Sequence, residues 1–225
     1  MKLLIHFLGK IDYFHVEMSN TKCMWEVFGV QGLYFLFSIW TIILFYSRTK
    51  DRLNENFLKL GVLFCLICCS TFTFDLFNFQ MNVAFLLLIF LISYDISKLK
   101  FSEQFMHFFK GLIIGMSYSS MSILAIYDPA SYFINEFFSI SLMTTVLAIF
   151  LSNHYIERIR LLIIGLIQGE VFNFFTYRSI KVQYILGDLS WLDSLFLTIL
   201  LITSLRFLSL NFSKKNLKSG KLVKN

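Results

Sequence analysis

Seven long, predominantly apolar stretches dominate this chain and leave little room for anything else. Crossing a hydrocarbon core of roughly 30 Å takes a helix of about 20 such residues. The stretches lie at 27–47, 57–74, 76–94, 108–127, 132–151, 158–177 and 189–210, with short polar breaks between most of them. Asp128-Pro129 is a turn pair that interrupts what would otherwise be one long run. The break between the second and third stretches carries only Asp75, Asn78, Gln80 and Asn82, which implies a very tight hairpin. Hydrophobic residues make up 57% of the chain and charged residues 15%. A soluble domain has about 45–50% apolar and about 25% charged residues. A water-soluble globule, a disordered chain and a secreted disulfide scaffold are therefore excluded. The expected fold class is all-α, a polytopic transmembrane helix bundle of about seven spans in the cell membrane.

Lysine and arginine in short loops set the orientation of such a bundle. With the N-terminus outside, the inner side holds Arg48, Lys50, Arg52, Lys98, Lys100, Arg158, Arg160 and the five lysines of the tail. The outer side holds only Lys2, Lys10, Lys22 and Lys181. The bias predicts the N-terminus out and the C-terminus in. Trp25, Tyr46, Tyr94, Tyr127, Tyr132, Tyr177 and Trp191 fall at span ends, where amphipathic rings prefer to sit. Residues 1–26 form an external segment, whose Leu4, Leu8, Ile11 and Phe14 recur at the spacing of a helix lying in the interface. Residues 27–210 form the bundle. Residues 211–225 form a basic tail on the cytoplasmic side, attracted to anionic lipids rather than to nucleic acid.

Between helices in lipid, close packing by small residues replaces the hydrophobic effect. Gly111 and Gly115 continue into Ser119 and Ser122, and Gly165 and Gly169 continue into Asn173 and Thr176. Both stripes run at one helical face, so spans four and six are expected inside the bundle. Whether they face each other, a second copy or another membrane protein is open at this point.

Charged groups inside a span are expensive and usually face protein or water. Glu170 lies about eight residues from the outer end of span six, roughly 12 Å deep at about 1.5 Å per residue. It is either a cation- or proton-responsive carboxyl or a tie between span six and a neighbour. The tie is preferred, because no basic residue of comparable depth is evident; Arg178, two turns on, can snorkel near it. Glu136, four positions into span five, can simply reach the interface. Asp193 is placed to cap or begin span seven.

Signatures of catalysis, metal binding and cofactor binding are missing. There is no His-Glu-x-x-His, no Gly-x-Ser-x-Gly and no phosphate-binding loop. His154 and Glu157 share a helix entry but do not complete a metal site. Cys65, Cys68 and Cys69 sit at membrane depth, where thiolates are costly, and read as small apolar filler. The expectation is therefore a non-enzymatic accessory or scaffold protein without a cofactor, its partners being the bilayer and a second copy or another membrane protein. A small solute transporter using Glu170 is the alternative.

One local pattern resembles a family. The run from Leu161 to Glu170, with its Gly165 and Gly169-Glu170, is followed by Gly187-Asp188-Leu189-Ser190-Trp191-Leu192-Asp193. Together they are similar to the end of the YphA-type small multi-pass membrane proteins of Gram-positive bacteria. The resemblance covers the C-terminal third, and the remainder matches in length and span layout. It implies an integral membrane protein with no assigned chemistry and no catalytic residues.

Overall fold

The computed structural model describes residues 31–48, 53–76, 79–127, 136–179 and 184–222. The external segment 1–26, with its interfacial helix, lies outside the described residues, as do residues 128–135. Seven helices and three short strands make up the described part: α1 (Leu33–Arg48), α2 (Leu53–Cys69), β1 (Thr73–Leu76), β2 (Phe79–Asn82), α3 (Val83–Ser97), α4 (Phe101–Tyr127), α5 (Glu136–Leu151), α6 (Tyr155–Ser179), β3 (Ile185–Leu186) and α7 (Leu189–Leu222). Three of the helices, α4, α6 and the Leu189–Ser209 part of α7, are long and apolar enough to cross a membrane. The other four contain shorter apolar helical stretches.

Each helix falls on one of the apolar runs, but the all-α expectation needs a correction. Residues 73–82 are not the ends of two spans. Thr73–Leu76 and Phe79–Asn82 form an antiparallel strand pair, with Thr73 opposite Asn82 and Asp75 opposite Gln80. Thr-Phe-Asp-Leu and Phe-Gln-Met-Asn alternate polar and apolar side chains, the period of a strand rather than of a helix. The helices on either side are closed by hydroxyls and an amide. Ser70 Oγ donates to the Ile67 carbonyl at 2.8 Å and Thr71 Oγ1 to the Cys68 carbonyl at 2.8 Å. Asn82 accepts from the Ala84 N–H at 2.8 Å as the N-cap of α3, and its amide donates to the Ser70 carbonyl at 2.9 Å. The end of α2 is thus tied to the start of α3. β3 adds to the hairpin in parallel, with Gln80 opposite Ile185 and Met81 opposite Leu186.

The most extensive packing joins α4 to α6, and α7 packs on α1, α5 and α6. The two glycine stripes face each other inside one chain. A methyl group added at Gly115 would lie 2.8 Å from the Gly165 carbonyl oxygen and 2.9 Å from the Gly169 nitrogen. One added at Gly169 would lie 2.7 Å from the Gly115 carbonyl oxygen. Gly111 meets Ile164, and Gly165 meets Ile114. The core below the hairpin is built from Phe35, Ile39, Phe85, Trp191, Leu192 and Leu195. Large side chains such as Phe90, Phe101 and Phe150 point outward, as they do where the surrounding solvent is lipid. α7 continues through the basic segment as far as Leu222, twelve residues past the expected end of the span at 210.

Candidate functional site

Glu170 is the natural centre for a site, and its surroundings are now defined. It sits on α6 directly after Gly169, where the close approach of α4 brings Tyr118 against the same helix. The residue has 0% exposure. One carboxyl oxygen accepts the Gly187 N–H at 2.9 Å. The other accepts the Tyr118 hydroxyl at 3.4 Å, and the Tyr184 hydroxyl also donates to the carboxyl. Burial, with the Glu170 carboxyl beside it, holds the Tyr184 phenol above the usual tyrosine range, so it remains an O–H donor. The partners come from α4 and from residues 184–187, between α6 and α7. Gly187 has a positive φ of 68° and lies against Phe85, so the turn that presents its N–H to Glu170 suits glycine. Arg178 is exposed, and none of the hydrogen bonds to Glu170 comes from it.

The residues after Gly187 continue the same construction. Asp188 accepts from the Trp191 N–H at 2.9 Å and from Ser190 Oγ at 2.7 Å, capping α7. Trp191 was expected in an interfacial belt, but it is 1% exposed. Its indole N–H donates to the Leu166 carbonyl at 3.2 Å and its ring meets Phe85 edge-on, so the polar atom is satisfied inside the core. Tyr177 is likewise buried and donates to the Ser122 carbonyl at 3.4 Å. Tyr94 and Tyr127, by contrast, are exposed at helix ends. Asp193 does not cap its own helix. Its two oxygens accept the Gly32 N–H at 2.6 Å and the Phe35 N–H at 2.8 Å, so it caps α1 from a distance. The four N-terminal N–H groups of any helix need outside partners, and a carboxylate there also meets the favourable end of the helix dipole.

The opposite end of the bundle carries a second polar group. Glu157 accepts from Ser152 Oγ at 2.7 Å and from Lys110 Nζ at 3.3 Å. Arg158 Nε donates to the Ser152 carbonyl at 2.8 Å, and Arg160 pairs with Asp95 of α3 at 2.7 Å. His154 is tied to the same turn, its N–H donating to Ser152 Oγ at 3.3 Å. Cys65 and Cys68 are exposed on α2, so they face outward instead of filling the core, with Cys65 and Cys69 sulfurs 3.8 Å apart. Among the described residues, no cluster of three or more His, Cys, Asp or Glu side chains could hold a metal ion. The side chain of Glu136 lies outside the described residues.

Residues 31–222 match the family model of the YphA-like integral membrane proteins. The chain belongs to that family. The match extends the similarity from the C-terminal third to nearly the whole chain, and it makes this an integral membrane protein. No curated protein and no solved structure matches the chain. In this YphA-like chain the glycine–acid pair and the Gly-Asp-Leu-Ser-Trp-Leu-Asp run are parts of one assembly at one end of the bundle. The sequence alone pointed to Glu170 and the glycines but missed Tyr118, Tyr184 and the Gly187 N–H. The available signals were Tyr118 inside a span and a glycine directly after the Ile185-Leu186 pair, neither of which names a partner.

Proposed function

We propose that this is a non-enzymatic accessory or scaffold protein of the cell membrane, multi-pass, with seven crossings, the N-terminus outside and the C-terminus in the cytoplasm. The observation that carries this reading is the use made of Glu170. Both carboxyl oxygens are taken up by Gly187, Tyr118 and Tyr184, which ties α6 to α4 and to the segment before α7. Asp188 and Asp193 are spent in the same way, as caps. The polar groups around Glu170 tie helices together in this way. The small-residue faces are occupied within the chain, so a second copy or another membrane protein would dock on a lipid-facing side. The basic tail would rest on anionic lipids at the inner surface.

A small solute transporter is the second reading. Asn173 favours it, because its side-chain oxygen is buried without a hydrogen-bond partner one turn beyond Glu170. The two readings separate on Glu170. A buried N–H or hydroxyl left without its acceptor costs about 1–3 kcal/mol. Glu170→Ala should therefore lower the amount of folded protein in membranes, whereas Glu170→Gln keeps an acceptor for Gly187 and should restore it. Loss of proton-coupled flux in reconstituted vesicles by Glu170→Gln, at normal abundance, would instead make the chain a transporter. The topology has its own test. With the four native cysteines replaced by serine, a cysteine placed near residue 220 should resist an impermeant thiol reagent in whole cells and react once the membrane is opened; labelling in whole cells would overturn the orientation.

A further inference from the structure

His107 stands at the end of α4 that meets the start of α6, and none of the roles above uses it. It is more than nine-tenths buried, and its two ring nitrogens have different surroundings. Nδ1 is 2.6 Å from the Glu103 carbonyl oxygen. A carbonyl oxygen can only accept, so Nδ1 carries the hydrogen. In the neutral ring the hydrogen is then absent from Nε2, which has no hydrogen-bond partner. That bare nitrogen is 3.9 Å from Glu157 Oε1 on α6. Two acceptors facing each other in a buried place gain nothing, and a buried polar atom without a partner is the kind of exception that calls for a reason.

We propose that His107 is a pH-operated clasp between α4 and α6. A proton taken from water at Nε2 turns the bare nitrogen into a charged N–H donor aimed at the Glu157 carboxylate, and its loss releases the contact. Histidine is the side chain whose charge ordinarily changes between about pH 5 and 8. The pair is not sealed off, since the Glu157 and Lys110 side chains keep 23% and 26% exposure. The other charged groups around it are accounted for on every neighbouring element. On α4, Lys110 already shares Glu157 Oε1 at 3.3 Å, and Glu103 is exposed. On α6, Arg158 is bonded to the Ser152 carbonyl and Arg160 to Asp95 of α3. The turn before α6 contributes His154, which is exposed. α5 has no titratable residue between Glu136 and Leu151, and Arg206 of α7 lies over the Tyr155 ring. Glu157 is thus the anion that a protonated His107 meets. The contact exists only while Nε2 carries a proton and the Glu157 carboxyl does not.

The clasp does not depend on which function the protein serves. It is tested on the full chain in lipid nanodiscs. Nitrogen NMR of histidine-labelled protein above about pH 8 should find His107 with Nδ1 protonated and Nε2 bare, the signal being assigned by its loss in His107→Asn. A double-mutant cycle of His107→Asn and Glu157→Gln, read as the unfolding equilibrium constant, should show a coupling of roughly threefold or more at about pH 6 and none above about pH 8. A hydrogen on Nε2 at high pH, or the same coupling at both pH values, would overturn the proposal. If His107→Asn does not fold, the tautomer can be assigned through Glu157→Gln, which should shift the Nε2 resonance only at the lower pH.

Discussion

Alanine at Gly115 should destabilise the bundle by about 1–3 kcal/mol, the usual penalty of over-packing, and leucine there should prevent folded protein from accumulating at all. The reason lies in what the added carbon would meet. At Gly115 the nearest atoms are the Gly165 carbonyl oxygen at 2.8 Å and the Gly169 nitrogen at 2.9 Å, both of them backbone. A flexible side chain can turn aside; a helix backbone can only move as a whole. Relief therefore requires α4 and α6 to separate, which would strain the Tyr118 contact with Glu170 and the Tyr177 contact with Ser122. For a chain of this size, about 2 kcal/mol corresponds to a fall in Tm of roughly 4–8 °C. Gly61→Ala is the matched control. Nothing lies within 4 Å of the position a carbon would take there, and alanine is the better helix former. Thermal unfolding of the two alanine variants in the same mild detergent checks the expectation. Equal midpoints would mean that α4 and α6 do not approach backbone to backbone at Gly115.

The same pair of helices shows how far the sequence could be read. The apolar runs carried the helices because about 20 apolar residues have few other uses. The glycine stripes at 111–115 and 165–169 were equally plain, since a small residue every fourth position marks a contact face. What a stripe does not encode is its partner. Gly115 meets Gly165 and Gly169 across 50 or so residues of chain, and a second copy would satisfy the same pattern. Asp193 failed for a related reason. Its position near a helix start suggested a local cap, yet the N–H groups it accepts belong to Gly32 and Phe35, 161 and 158 residues away. A tight hairpin was legible between Phe72 and Val83, but the strand pairing of 73–76 with 79–82 was hidden differently. Its alternation is present in the residues, but four-residue strands flanked by long apolar helices add little to a hydropathy profile. Glu170 was visible as a buried acid; the Gly187 N–H that holds it was not, because a backbone donor leaves no mark on residue type.

Gly187→Ala should be the most damaging single-methyl change at the other end of the bundle, with a loss of more than about 2 kcal/mol. Two effects add. The residue has a φ of 68°, a left-handed conformation that costs any L-residue with a side chain roughly 1–2 kcal/mol. The added carbon would also overlap Phe85 Cβ, an atom fixed by the first turn of α3 and out of reach of any rotamer change. The turn must then shift, and three features shift with it. The Gly187 N–H leaves Glu170. The Leu186 pairing that joins β3 to Met81 of β2 weakens. Asp188 no longer stands where it accepts from Trp191, so the start of α7 loses its cap. Hydrogen exchange separates this from a general loss of stability. The amides around 185–193 should lose protection first, while those of α4 and α6 near Gly115 and Gly165 should open only with the whole protein. Shortening Phe85 will not rescue the variant unless Cβ itself is removed, because alanine at 85 keeps the atom that clashes. A Gly187→Ala protein with an unchanged melting midpoint and full protection at Trp191 would show that this turn is not what anchors Glu170.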